Sequence, residues 1–144
     1  MYDQNKALVR EAFLALFNEG HLAAAEKAFA PDFVGHDPSS PGPVSGPQGV
    51  KNMVSTYRSA FPDMHLTIED QIAEGDKVVT RWSARGTHKG ELMGIPPTEK
   101  VVTMTGIMTT RIAGGKIEDA WENYDALGMK QQLGVVPGPN SPTR

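Results

Sequence analysis

The stretch Met64-His65-Leu66-Thr67-Ile68-Glu69 alternates apolar and polar side chains. A period of two is that of a half-buried β-strand, whose successive side chains point to opposite faces. This stretch begins two residues after Pro62, and upstream of that proline the period is helical. Val50, Met53, Val54, Tyr57 and Phe61 lie along one face of a helix that Pro62 closes. The chain therefore changes from helix-rich to strand-rich near its midpoint, and that change decides the fold class.

Working back from it, segment 38–46 holds three prolines, three serines and two glycines, the composition of a loop. Ser45 and Gln48 have the spacing of a capping box for the helix that follows. Residues 3–19 read as an amphipathic helix, with Asp3 as N-cap, Val9, Phe13, Leu16 and Phe17 at helical spacing, and Gly20 as terminator. An alanine-rich helix over 21–29, stopped by Pro31, and a short strand over 32–37 are expected next.

Working forward, Gly75-Asp76 marks a turn into a strand over 77–88. Segment 89–98, with two glycines and Pro96-Pro97, is a loop. Strands over 101–112 and 116–125 flank Gly114-Gly115, a hairpin turn. A helical turn over 126–133 precedes the segment 136–144, whose three prolines predict a mobile tail. Helices first and antiparallel strands after is the α+β arrangement, with the helices on one face of the sheet. At 144 residues the chain has the length of one domain over 1–144.

Composition removes several function classes. There is no cysteine, so disulfides, thiolate nucleophiles and cysteine-held metals are excluded. The net charge of -3 and the lack of a basic cluster argue against nucleic acid as a partner. No apolar run approaches the roughly 18 residues of a membrane span. The start, Met1-Tyr2-Asp3-Gln4, has no signal-peptide pattern, so a cytoplasmic location is expected. Histidines 21, 36, 65 and 88 show no i+2, i+3 or i+4 spacing, which argues against a histidine-based metal site.

Strand parity assigns the side chains of the covered face. On 77–88, Arg81 and Arg85 mark the outer face, so Val78, Thr80, Trp82, Ala84 and His88 point inward. On 101–112 the inward set is Val102, Met104, Gly106 and Met108. On 116–125, Glu118 and Glu122 share a face and suggest solvent. Ile117, Asp119, Trp121, Asn123 and Asp125 are then expected inside. An apolar hollow with a few convergent polar groups is how small-molecule sites are built. Met53, Tyr57, Trp82, Met104, Met108, Trp121 and Asn123 are its expected substrate-contacting residues, suited to a hydrophobic, polycyclic molecule. Of His36 and Asp37, neighbours on a strand, only one is expected to face the hollow.

Several motifs carry a resemblance. Gly86-Thr87-His88-Lys89-Gly90-Glu91, Gly94-Ile95-Pro96-Pro97-Thr98, Gly115-Lys116-Ile117, Trp121 with Asp125, and Gln132-Leu133-Gly134 resemble the SnoaL-like polyketide cyclases, or ester cyclases. So do Arg111, His36-Asp37-Pro38, Gly46-Pro47 and Ala60-Phe61-Pro62-Asp63. Glu99 stands where these proteins usually carry glycine, and Ala120 where histidine is common. The resemblance implies a fold similar to nuclear transport factor 2. That fold is a cone-shaped, bent antiparallel sheet with three helices of the N-terminal half on its concave face. It implies intramolecular aldol ring closure without cofactor or metal, with Asp125 at the position of the acid/base aspartate. His88 and His36 are the expected partners for the developing enolate, and a homodimer or larger homo-oligomer is the expected assembly. Asp125 is also well suited to capping the helix that starts at Ala126. The alternatives are epoxide hydrolysis, isomerisation or hydroxylation on the same fold, or a non-catalytic small-molecule binder.

Overall fold

The computed structural model describes residues 2–138, so the part of the tail reading that concerns 139–144 lies outside the described residues. Six strands form one curved sheet in the order β2-β1-β6-β5-β4-β3. They are β1 (Phe29–His36), β2 (Val44–Ser45), β3 (His65–Glu74), β4 (Lys77–Thr87), β5 (Val101–Ala113) and β6 (Lys116–Tyr124). The helices are α1 (Tyr2–Phe13), α2 (Ala24–Ala28), α3 (Gly46–Ala60) and α4 (Ala126–Leu133). The α+β class read from the change of period is the observed one.

Local chemistry explains the turns. Gly114 and Gly115 both have positive φ, 59° and 75°, as a two-residue hairpin between right-twisted strands requires. Gly75, at φ 60°, supplies the first turn position between Glu74 and Lys77. The helix expected over 21–29 covers only Ala24–Ala28, the strand expected over 32–37 runs from Phe29 through Pro31 to His36, and Asp3 lies in the first turn of α1 rather than capping it. Three further local readings differ. The first helix is α-helical only to Phe13 and continues as a π-helical turn over Leu14–Asn18. That wider turn presents Asn18, whose amide exchanges two hydrogen bonds with the backbone of Leu66 and clamps the helix to β3. Ser45 makes no side-chain cap to α3, and Gln48 bonds Asn52 instead, so the capping box does not form. The sheet is also not wholly antiparallel, because β1 pairs with β6 in parallel.

The core lies between α1, α2 and α3 and the concave face of the sheet. Val9, Leu16, Val50, Val54, Phe61, Val78, Val102 and Ile117 are all essentially excluded from water there. On β4 and β5 the burial alternates as parity requires. On β3 and β6 it does not, because each strand carries a β-bulge. Ile68 faces Trp82 but Asp70 faces Arg81, leaving Glu69 as the extra residue of β3. Ile117 faces Ile112 but Asp119 faces Arg111, leaving Glu118 as the extra residue of β6. A bulge puts two residues against one and reverses the facing of everything beyond it.

Candidate active site

Past the bulge at Glu118, Ala120, Glu122 and Tyr124 turn to the concave side, and Asp119, Trp121, Asn123 and Asp125 turn out. This corrects the expected facing of all four outward residues. Ile117, before the bulge, is buried as expected. Trp121 is 41% exposed. Asp119 pairs with Arg111, whose Nε donates to Asp119 Oδ2 at 2.8 Å. Asp125, the position at which the resemblance places the acid/base group, is the N-cap of α4. Its Oδ1 accepts from the Gly128 N–H at 2.8 Å, and its surroundings are the outer-face residues Arg81, Ser83, Thr105 and Asn123.

The concave face and the helices enclose a cavity of about 410 Å³. Phe13, Phe17, Phe33, Met64, Leu66 and Ala84 give it apolar walls. Met53 and Tyr57 of α3, Trp82 of β4, and Met104 and Met108 of β5 line it as expected. Each of these residues comes from a helix face or strand whose period the sequence displays without interruption.

The polar groups of the cavity converge from different elements. Among the described residues its carboxylates are Asp37 and Glu122, both half-buried as whole residues. Trp82 Nε1–H donates to Glu122 Oε1 at 2.8 Å, while Oε2 is buried with no hydrogen-bond partner. Burial pushes the Glu122 carboxyl up to about 8, the Trp82 hydrogen bond opposes this, and the charge of Asp37 adds to it. The hydroxyls of Tyr57 and Tyr124 lie 2.9 Å apart. Burial holds the Tyr57 hydroxyl well above its ordinary range, so it stays protonated as a donor. No Lys or Arg lines the cavity among the described residues.

His36 and Asp37 border the mouth together with Ser39, Ser40 and Pro41. The His36 ring stacks on Trp121, with centroids 5.8 Å apart, at the outer rim. Asp37 is the member of the pair whose charge acts on Tyr57 and Glu122. Its Oδ1 accepts from both the backbone N–H and the hydroxyl of Ser39, which fixes the start of the loop. His88 is fully buried but does not line the cavity. Its Nδ1 accepts from the Thr98 N–H at 3.2 Å, and its backbone pairs with Lys100 and Glu99. It closes the loop between β4 and β5, with its ring tilted at 39° against that of Phe61.

Sequence parity missed Glu122 and Tyr124. One signal does point to Glu122. A buried tryptophan needs an acceptor for its N–H, and once Trp82 is placed inside, an acidic residue on a neighbouring strand is a natural partner.

A family model described as SnoaL-like polyketide cyclase matches residues 7–133. The chain is 29% identical over 122 residues to the nogalonic acid methyl ester cyclase of Streptomyces nogalater, covering 84% of this chain and 91% of that one. It is 30% identical over 105 residues to the aklanonic acid methyl ester cyclase of Streptomyces peucetius, covering 72% and 70%. Among solved structures it is similar to AclR of Streptomyces galilaeus, described as a proposed hydroxylase. There the TM-score is 0.84 at 29% identity, with 96% of this chain and 85% of that one covered.

Proposed function

We propose that this chain, which belongs to the SnoaL-like polyketide cyclase family, closes a ring by an intramolecular aldol reaction with Glu122 as its base. The carrying observation is a buried carboxylate with one unpartnered oxygen in an apolar cavity. A carboxylate whose pKa is raised towards the working pH is a far better proton acceptor than a solvated one. The Glu122 carboxylate removes a proton from the carbon next to a carbonyl. The resulting enolate carbon attacks a second carbonyl of the same molecule, and the new alkoxide takes the proton back. The reaction is redox-neutral, and every proton is accounted for by one carboxyl group. The Tyr57–Tyr124 pair has one hydroxyl proton left over, and it donates to the enolate oxygen as charge develops there. The walls hold the two carbonyl carbons near each other, the main source of rate in an intramolecular reaction.

Two cavity carboxylates, with no Lys or Arg lining the cavity among the described residues, disfavour a substrate bearing a free carboxylate. A neutral polyketide with its acid masked as an ester fits this electrostatics, and the curated relatives are named as methyl ester cyclases. Among the described residues no helix is long and apolar enough to cross a membrane. A cytoplasmic location is our reading, with which the absence of cysteine is compatible. Self-association as a homodimer or tetramer is likewise proposed. It is supported by Ile72, Ile107 and Trp121, which stand exposed on the outer face of the sheet.

The test is to incubate an anthracycline-type keto-ester with the wild-type protein and with Glu122→Gln, following ring closure by chromatography. Closure by the wild type alone supports the reading. Closure by both removes Glu122 from its role. Closure by neither favours a different reaction in this cavity, hydroxylation included, or plain binding.

A further inference from the structure

Trp82, Gly106 and Tyr124 lie in one row across β4, β5 and β6. Glu122 is two residues from that row on β6, with Met108 as its β5 partner. For the Trp82 indole to reach Glu122 it must lie across the backbone of β5, and it does so over Gly106. A Cβ at residue 106 would stand 2.5 Å from Trp82 Cζ2 and 2.9 Å from Nε1, distances that real Cβ atoms essentially never show. Neither atom is the end of a flexible chain, because the ring is rigid and walled by the cavity residues. Glycine inside a central strand weakens the strand and marks a place where something must approach closely. Gly106 has no turn or positive φ to explain it.

We propose that Gly106 is a positioning residue for the reaction: having no side chain, it lets the Trp82 indole cross β5 and hold Glu122 by its Oε1, leaving Oε2 without a partner. The inference rests on the reading of Glu122 as base. Trp82 is then part of the wall and also the group that fixes which carboxylate oxygen is free. Its hydrogen bond favours the ionised carboxylate, against the burial and the Asp37 charge that oppose ionisation. The other titratable groups facing Glu122 are Tyr57 from α3 and Tyr124 on its own strand, with His36 at the mouth.

The experiment is a pH titration of the Glu122 side-chain carboxyl carbon by NMR on the full chain, in wild type, Gly106→Ala, Trp82→Phe and the double variant. Losing a hydrogen bond to a charged group is expected to raise the midpoint by about one pH unit in each single variant. The double variant is expected to match the singles, since both changes remove the same contact. Ring closure at pH 7 is expected to fall about tenfold and to recover as the pH is raised. Unmoved midpoints in the single variants, or additive shifts in the double, overturn the inference. If Gly106→Ala does not fold, Trp82→Phe decides alone, since an unmoved midpoint there sinks the idea. The titration needs no substrate, so a moved midpoint without any ring closure would sustain the positioning role and count against the proposed reaction.

Discussion

Arg111 faces Asp119 across β5 and β6, although Ile112, its neighbour, faces Ile117. One residue of β5 is thus matched by two of β6, and Glu118 is left over. The Arg111 guanidinium holds both acidic residues, with Nη2 donating to Glu118 Oε2 at 2.9 Å. The ion cluster is partly exposed and contributes little on its own. Its importance is geometric, because the extra residue turns Glu122 and Tyr124 into the cavity.

Deleting Glu118 removes that extra residue. The expected outcome is a regular strand in which Ile117 and Glu122, now an even number of residues apart, share the concave face without a bulge, so that Glu122 stays inside and ring closure is kept. NMR of the Glu122 carboxyl checks it: its titration should stay raised as in the wild type. An exposed-range titration in the deletion variant would show that the facing of Glu122 is not set by the residue count between it and Ile117.

Glu122 ties activity to pH in one direction and stability in the other. Its folded pKa lies near 8 against an ordinary value of 4.5. Between these values the folded state binds a proton that the unfolded chain has lost. The stability this group contributes is therefore full below about 4.5 and declines as pH rises through 8. The decline is at most about 1.4 kcal/mol per pH unit. Glu122→Gln is expected to flatten that part of the stability curve, read by denaturant melts from pH 5 to 9. In the wild type, kcat/KM should climb with pH and level off near 8. A stability slope unchanged by the substitution would contradict the burial of the charge.

Asp125 is expected to be dispensable for chemistry. Asn at an N-cap serves nearly as well as Asp, so Asp125→Asn should keep both melting temperature and ring closure. Asp125→Ala should lose about 1 kcal/mol of stability with the Gly128 contact, and leave turnover intact in the folded fraction. Loss of turnover in Asp125→Asn with an unchanged melting temperature would restore the aspartate to the reaction.

Glu99 sits at φ 62°, a left-handed conformation that costs an L-residue about 1 kcal/mol. Its ion pair with Lys89, 3.4 Å and largely exposed, recovers little. Glu99→Gly removes the strain but adds freedom to the unfolded chain, so a net gain of about 0.5 kcal/mol is expected. That corresponds to roughly 1–2 °C in melting temperature by calorimetry. A lower melting temperature would mean that the glutamate is held for contacts that outweigh its backbone cost.

The sequence alone determined the class of this fold and most of its walls. Period, prolines and paired glycines are local properties, and they placed α3, β4, β5 and the final hairpin. They put Met53, Tyr57, Trp82, Met104 and Met108 on the cavity side before any pairing was known. What the sequence could not decide is the facing of β6. A bulge is a count of residues against a partner strand, so it exists only once Arg111 meets Asp119 and Ile112 meets Ile117. Read by strict alternation, Glu118 and Glu122 share a solvent face and Asp125 points inward. Tertiary structure alone separated them, leaving Glu118 with Arg111, Asp125 on α4, and Glu122 beneath Trp82 where no water reaches its second oxygen. The parallel pairing of β1 with β6, which brings Asp37 to the cavity mouth, was hidden for the same reason.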